Sequence, residues 1–155
     1  MTEEYEERIE TLSASACWTL LRATGIGRLA VWVEDHPEIF PINYVVDHSS
    51  LVFRTTEGTK LSAALSGVPV ALEIDGYEAS VNRAWSVVVK GRSEQTRGIE
   101  ELTDTLSLPL LPWQSGPKGR FVCIGPTTVS GRRFQVADPK AWRTGLSEAQ
   151  RSPVD

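Results

Sequence analysis

The sequence predicts a mainly β fold, an antiparallel barrel of about six strands with small helices at its margins. Strand-like apolar runs recur along the 155 residues, and turn residues separate them. The turns are short, and one helix crosses from the third strand to the fourth. Six strands on a chain of this size close most easily into a small barrel. A β-sandwich is the alternative architecture.

The chain begins with helical patterns. Its acidic start favours helix and predicts an acidic helical extension over residues 1–12. Ser13 is a natural N-cap, so it predicts the start of a second helix. That helix carries Cys17 on its apolar face and ends at Gly25. A barrel domain over residues 13–136 is expected to follow from this point.

Six segments have the composition of strands and are bounded by turn residues. The predicted strands cover residues 26–34, 38–46, 51–56, 68–74, 84–95 and 120–136. Pro41 interrupts the second strand, and a proline without an N–H belongs at a sheet edge or a bulge. A ligand often replaces the missing strand contact at such a position. Three consecutive valines at residues 87–89 predict a strand buried on both faces.

The last part of the chain contains a long loop. Residues 97–106 predict a short amphipathic helix, and residues 108–119 form a segment rich in proline and glycine around Trp113. A loop of this length in a compact domain is typical of a functional or interface element. Residues 137–155 are expected to form a loosely held tail.

Composition excludes several classes of function. The net charge of −4 argues against a nucleic-acid binder or a protein of anionic membrane surfaces, which need a basic field. The chain has no apolar run of the roughly 20 residues that span a bilayer, and its acidic start differs from a signal peptide. A cytoplasmic protein is expected. The two cysteines and two histidines have no spacing typical of a metal site or a catalytic triad.

Residues 51–67 carry the strongest signal for a binding site. They predict a strand, a corner at Glu57-Gly58 and a short helix that begins at Thr59 and Lys60. The first turn of a helix and a lysine suit an anion. Arg54, Thr55 and Thr56 add donors at the end of the strand. This segment therefore predicts a site for a phosphate and for the polar edge of a flat ligand. An ordinary strand, turn and helix with solvated cations is the alternative.

Six motifs, in this order and spacing, resemble a known family. They lie at residues 27–30, 41–44, 53–61, 85–91, 110–113 and 131–133. The chain resembles the FMN-binding split-barrel family, the pyridoxamine 5′-phosphate oxidase-like flavoproteins, and especially their nitroimidazole-reductase-like branch. The resemblance covers roughly residues 12–136 and implies a split barrel of the FMN-binding type.

The resemblance implies a homodimer with two FMN sites at the subunit interface. From one subunit it assigns the following residues to the cofactor: Pro41, Ile42, Asn43, Tyr44, Arg54, Thr55, Thr56, Thr59 and Lys60. From the partner chain it assigns Trp85, Ser86, Trp113 and Arg120. Lys60 and Thr59 would hold the phosphate, and residues 41–44 would run beside the isoalloxazine. For the two tryptophans, buried interface area is the alternative to direct flavin contact.

The expected chemistry is hydride transfer from NAD(P)H through the flavin to a small planar acceptor. Arg54 near the pyrimidine edge would stabilise the negative charge of a reduced flavin. The sequence offers no catalytic acid or base. The Arg-x-His motif of true pyridoxamine-phosphate oxidases has no counterpart in residues 141–146, so vitamin B6 oxidation is not expected.

Two other functions are compatible with the same barrel. The first is a reductase that uses the deazaflavin F420, whose anionic tail would require more basic residues along a groove. The second is a non-catalytic protein that stores flavin or handles haem. Haem would require an axial histidine, and neither His36 nor His48 is convincingly placed for it.

Overall fold

The computed structural model describes residues 9–55, 59–95 and 120–136. Several predicted features lie outside these ranges and stay predictions. They are the extension before residue 9, the corner at residues 57–58, the helix at 97–106, the loop around Trp113 and the tail from residue 137.

The described residues form seven strands and two helices. In chain order they are β1 (Ile9–Thr11), α1 (Ala14–Ala23), β2 (Ile26–Val33), β3 (His36–Asp47), β4 (Ser50–Thr55), α2 (Lys60–Ala64), β5 (Pro69–Glu78), β6 (Arg83–Gln95) and β7 (Arg120–Gln135). The side chain of Ser13 accepts a hydrogen bond from the N–H of Ala16 at 3.1 Å, which confirms Ser13 as the N-cap of α1.

Strands β2 to β7 form the predicted antiparallel barrel. Going around it, β7 pairs with β4, β4 with β3, β3 with β2, β2 with β5, and β5 with β6, which pairs again with β7. Strand β1 pairs with residues 132–134, near the C-terminal end of β7. The closed order confirms the six-stranded barrel over the alternative sandwich.

The barrel is split along the first half of β3. From His36 to Asn43 this strand pairs with β2, whereas it pairs with β4 only from Tyr44 to Asp47. The N–H of Tyr44 donates to the carbonyl of Gly25 at 3.0 Å. Because antiparallel amides alternate in direction, the nitrogen of Pro41 faces away from β2, toward the edge that no described strand covers. The prediction for Pro41 is confirmed.

The barrel interior is filled by side chains of the chain itself. Along β2, exposed and buried residues alternate, as expected for a strand with one face inward. The largest fully buried side chains are Phe53, Leu21, Leu29, Leu51, Leu65, Leu72 and Ile74. Helix α1 contributes Leu21 and Cys17, and Leu65, which caps the C-terminus of α2, is also buried. Because side chains fill the interior, we expect a ligand to bind at the surface of the barrel.

Two local predictions are wrong. Residues Ile9–Thr11 form a strand rather than the end of a helical extension, because they pair with β7, for example Ile9 with Phe134. Tertiary pairing overrides the local helix preference here. Val87 and Val89 are buried, but Val88 between them is only half-buried. Strand β6 therefore has one face in the core, not two.

Candidate functional site

The site predicted from the sequence begins where β4 ends and α2 starts. The hydroxyl of Thr59 accepts a hydrogen bond from the N–H of Ser62 at 3.1 Å, so the helix supplies its own N-cap. Helix α2 is only five residues long, and its dipole is correspondingly small. Lys60 is exposed and forms no ion pair with the described carboxylates. The charge available for an anion at this corner is therefore that of Lys60.

Strand β4 turns its last two described side chains in opposite directions. The guanidinium of Arg54 lies 5.0 Å from the centre of the Phe121 ring, and Arg54 is half-buried. Thr55 is only 3% exposed, and its Oγ1 has no hydrogen-bond partner within the described ranges. A buried hydroxyl without a partner carries a desolvation penalty. Thr55 shares the inward direction of Phe53, so a ligand could reach its hydroxyl only at the end of β4.

The segment at residues 41–44 is divided between core and surface. The side chains of Ile42 and Tyr44 are buried, and the phenol of Tyr44 donates to the carbonyl of Leu21 at 2.8 Å. Burial raises the pKa of Tyr44, because the phenolate would be poorly solvated there. Strand alternation turns both side chains inward, so a cofactor beside this segment would meet the backbone of Ile42 and Tyr44, and their assignment to the site stays a prediction. Pro41 and Asn43 face outward.

Trp85 and Ser86 show the same division on β6. The ring of Trp85 packs over Gly76, where an added Cβ would lie 2.5 Å from the indole. Trp85 follows the inward direction of Val87, so its packing is explained within the chain. Ser86 lies opposite Asp75 on the outer face. Of this pair, Ser86 is the one that remains available at the outer surface.

The outward-facing site residues do not meet within one chain. Asn43 lies on β3 and Ser86 on β6, with β2 and β5 between them. Three strand spacings separate them by about 14 Å. Thr56 and Trp113 lie outside the described residues, as does the side chain of Arg120, whose backbone pairs with Thr55.

A charged cluster that sequence reasoning missed occupies the face between these strands. Arg28 contacts Oε2 of Glu73 at 2.7 Å and Oδ1 of Asp75 at 2.7 Å. Burial is the main reason why the pKa of Glu73 is raised, and the hydrogen bond from Arg28 opposes that shift. The charges of the three residues partly neutralise one another, so Arg28 is less available than Lys60 to bind an anion.

The β2–β3 hairpin lies near the corner, because α2 packs against β2. His36 in this hairpin contacts Asp35 through Nδ1 and Glu38 through Nε2, both at 2.9 Å. The hydrogen bond with Asp35, followed by that with Glu38, raises the pKa of His36, while charge repulsion from Lys60 opposes the shift. Lys60 is therefore close enough to the hairpin to act on it electrostatically.

The described ranges also bear on metal binding and on membrane insertion. No group of three His, Cys, Asp or Glu residues is arranged there to hold a metal ion. Neither described helix has the length and apolar character needed to cross a membrane.

Comparisons with known proteins agree with this geometry. The sequence pattern of the family described as pyridoxamine 5′-phosphate oxidase matches residues 13–133. An uncharacterized protein of Mycobacterium tuberculosis is 32% identical over 106 residues, which cover 68% of this chain and 94% of that protein.

Solved structures show the same fold. An FAD-binding protein from Mycobacterium smegmatis is 36% identical, with a TM-score of 0.72, over 81% of this chain and 98% of that one. An FAD-binding protein from Mesorhizobium loti is 25% identical, with a TM-score of 0.63, over 82% and 99% of the two chains. The protein with the corner at Lys60 and the split along β3 therefore belongs to the pyridoxamine 5′-phosphate oxidase family.

Proposed function

We propose that the protein is a flavin-dependent oxidoreductase that acts as a homodimer. It would transfer hydride from NAD(P)H to a small planar acceptor. The observation that carries this proposal is the corner after β4. There, Lys60 is exposed without a carboxylate among the described residues, and the buried hydroxyl of Thr55 has no partner among them.

These two residues fit the phosphate of a flavin. A phosphate dianion is bound most strongly by charge-assisted hydrogen bonds, which Lys60 can donate. Thr55 adds a hydroxyl whose burial already makes a new hydrogen bond favourable. Thr59 lies next to Lys60, and its oxygen caps α2.

The separation of the outward residues supports the proposed homodimer. Pro41, Asn43 and Arg54 lie at one side of the outer face, and Ser86 lies about 14 Å away. Within one chain, the cluster around Arg28 lies between Asn43 and Ser86. A second copy related by a twofold axis would bring Ser86 of the partner subunit opposite Asn43. Exposed apolar side chains on this face, including Ile26 and Ile39, support such a contact.

A bound flavin would supply the hydride chemistry itself. The described residues would position the ring and exclude water from one of its faces. Arg54, held over Phe121, would place a positive charge near the ring edge where a reduced flavin is most negative. Glu73 and Asp75, two carboxylates on the same outer face, are held by Arg28.

The flavin could be FMN, as the resemblance implies, or FAD. FAD is the second candidate because both similar solved structures named above are FAD-binding proteins. F420 is less favoured by the charges near Lys60. Glu34, Asp35 and Glu38 lie on the adjacent hairpin and would repel an anionic tail.

A spectrum and a titration test the proposal. The protein is purified from the cytoplasmic fraction, where we expect it, and its visible absorbance is recorded. It is then titrated with FMN, FAD and F420, and NAD(P)H consumption is followed with nitroaromatic and quinone acceptors. We expect a flavin spectrum and acceptor-dependent NAD(P)H oxidation. Bound flavin that no nicotinamide reduces would indicate storage instead, and a protein that binds no flavin would refute the proposal.

A further inference from the structure

Arg132 is an exposed arginine on β7, next to the predicted site residue Ser86. The two residues are direct cross-strand neighbours in the pairing of β6 with β7, so both side chains lie on the outer face. Their Cβ atoms are therefore about 5 Å apart. Because the proposed dimer brings Ser86 opposite Asn43 of the other copy, Arg132 lies at the ring end of the proposed site.

The guanidinium of Arg132 is held over an aromatic ring. Its central carbon lies 6.0 Å from the centre of the ring of Phe134, two residues further along the same face of β7. Stacking on a ring restricts the side chain and leaves the N–H groups at the edge of the guanidinium available as donors. Binding an anion there would therefore cost little conformational entropy.

The described carboxylates leave the charge of Arg132 uncompensated. Asp75 on β5 contacts Arg28 at 2.7 Å, and Glu10 on β1 lies 3.9 Å from the next arginine, Arg133. Within residues 9–55, 59–95 and 120–136, Arg132 itself forms no ion pair. A positive charge without a counter-ion beside a binding site favours an anionic ligand.

An apolar row lies beside Arg132 on the same face. The registers of four neighbouring strands align its members, which are Ile9, Phe134, Ala84 and Tyr77. Ile9 is 42% exposed and Tyr77 is 58% exposed. Exposed apolar side chains suit an aromatic ring, and the adjacent guanidinium suits a carboxylate, which it can bind through two parallel hydrogen bonds.

The position of Arg132 favours the acceptor over the phosphate of the flavin. In the proposed site the phosphate lies at Lys60, beyond the end of β4, whereas Ser86 lies beside the ring. At that corner Arg120 pairs with Thr55, and β7 runs for about 40 Å from there to Arg132. Arg132 is therefore remote from the corner of its own chain.

We propose that Arg132 binds the carboxylate of the acceptor and that the apolar row beside it packs against the acceptor's aromatic ring. This inference rests on the proposed flavin function and deepens it, because it narrows the small planar acceptor to an aromatic acid. Arg132 is then a residue that determines specificity, and the flavin still carries the hydride chemistry.

Titrations with an acid and its amide test this inference without turnover. The flavin-loaded protein is titrated by calorimetry with 4-nitrobenzoate and with 4-nitrobenzamide, which has nearly the same shape and no charge. The wild type should bind the acid more tightly. Arg132→Gln should weaken binding of the acid by roughly tenfold to a hundredfold, through loss of a charged contact, and change the affinity for the amide by less than about twofold. Arg132→Lys should recover part of the preference for the acid, because it keeps the charge.

Arg92→Gln is the matched control. It makes the same change of charge at an exposed arginine on β6, about 20 Å along the strand from Ser86. The control should change the affinity for neither probe. A loss of acid binding as large as that of Arg132→Gln would indicate a general effect of net charge and overturn the inference.

Other outcomes also overturn the inference. They are equal affinities of the wild type for acid and amide, or equal losses for both probes in Arg132→Gln. Weaker flavin binding by this variant would assign Arg132 to the cofactor, and its dissociation in sedimentation would assign it to a contact between two copies. A raised KM for NADPH with an unchanged KM for NADH would assign it to the phosphate of the donor.

A flavin titration of the wild type separates the two possible failures. A protein that binds flavin but does not distinguish the acid from the amide contradicts the inference and leaves the proposed function standing. A protein that binds no flavin contradicts both. A loss of acid binding confined to Arg132→Gln in a flavin-loaded protein supports both.

Discussion

Neighbouring residues on one barrel strand differ in what they do, according to the face they occupy. Phe53, Tyr44 and Trp85 point inward and are packed or hydrogen-bonded within the chain. Their neighbours Arg54, Asn43 and Ser86 point the other way. The inner face is complete in a single copy, whereas the candidate binding groups of the outer face lie on separate strands, with β2 and β5 between Asn43 and Ser86. The inner face therefore stabilises the fold, whereas the outer face and the corner after β4 carry the candidate binding residues.

The largest expected effect is on the inner face. Phe53 is fully buried at the centre of β4, so Phe53→Ala removes a ring and leaves a cavity. We expect the free energy of unfolding to fall by about 3–5 kcal/mol, measured by urea denaturation. Val81→Ala, at a residue that is 50% exposed in the turn between β5 and β6, serves as the control and should change it by less than about 0.5 kcal/mol. Similar losses for both variants would contradict the division between the faces.

The next largest expected effect is on flavin binding at the corner after β4. Lys60→Ala should weaken flavin binding by about tenfold to a hundredfold, through loss of a charged contact with the phosphate. The free energy of unfolding should stay unchanged, because Lys60 is exposed and has no ion pair with a described residue. Lys90→Ala, an exposed lysine on β6, is the matched control for net charge. Equal flavin affinities for the two variants would indicate that Lys60 does not contact the flavin.

A smaller effect separates the two faces of β3. Tyr44→Phe removes the hydrogen bond to the carbonyl of Leu21 and leaves that acceptor unpaired. The expected loss is about 1 kcal/mol of unfolding free energy, with flavin affinity unchanged because the phenol lies in the core. Thermal and urea unfolding measure the first quantity, and a flavin titration measures the second. Weaker flavin binding at unchanged stability would indicate that the phenol of Tyr44 contacts the flavin.

The smallest effect is a pH dependence at the hairpin. The hydrogen bonds with Asp35 and then Glu38 raise the pKa of His36 above its ordinary value of 6.5 in the folded protein. The folded state therefore binds the proton more tightly, and this stabilisation is fully present below pH 6.5. It is lost as the pH rises through the raised pKa.

The difference in unfolding free energy between the wild type and His36→Gln, measured across this range, should shrink as the pH rises. Glu10→Gln, at an acidic residue remote from the hairpin, serves as a control for general charge effects. A difference that grows with pH would have the wrong sign for a raised pKa.

Local patterns made most of the fold predictable. Ser13 as the N-cap and Pro41 at an uncovered edge each follow from one residue and its neighbours. The same alternation could also have placed Tyr44 and Trp85 inside, since each shares the direction of buried residues two positions away. Alternation within residues 41–44 puts Asn43 and Tyr44 on opposite faces, and only the neighbouring strands decide which of these faces is buried.

Other features could not be predicted because they depend on distant pairing. Arg28 meets Glu73 across 45 positions in the sequence, and only the register of β2 against β5 brings them together. The strand at Ile9–Thr11 likewise exists because β7 offers an edge to it. The contacts of His36 with Asp35 and Glu38 are local and could have been found from their spacing.

Mixing two defective variants tests most directly whether the flavin site is built from two copies. Lys60→Ala removes the phosphate contact, and Ser86→Trp adds bulk on the outer face of β6. Each variant alone should bind flavin weakly, with circular dichroism unchanged. After the subunits exchange, mixed dimers should hold one intact site each, so about a quarter of all sites should regain wild-type affinity. No recovery in a mixture whose exchange is verified by native mass spectrometry would contradict a site shared between two chains.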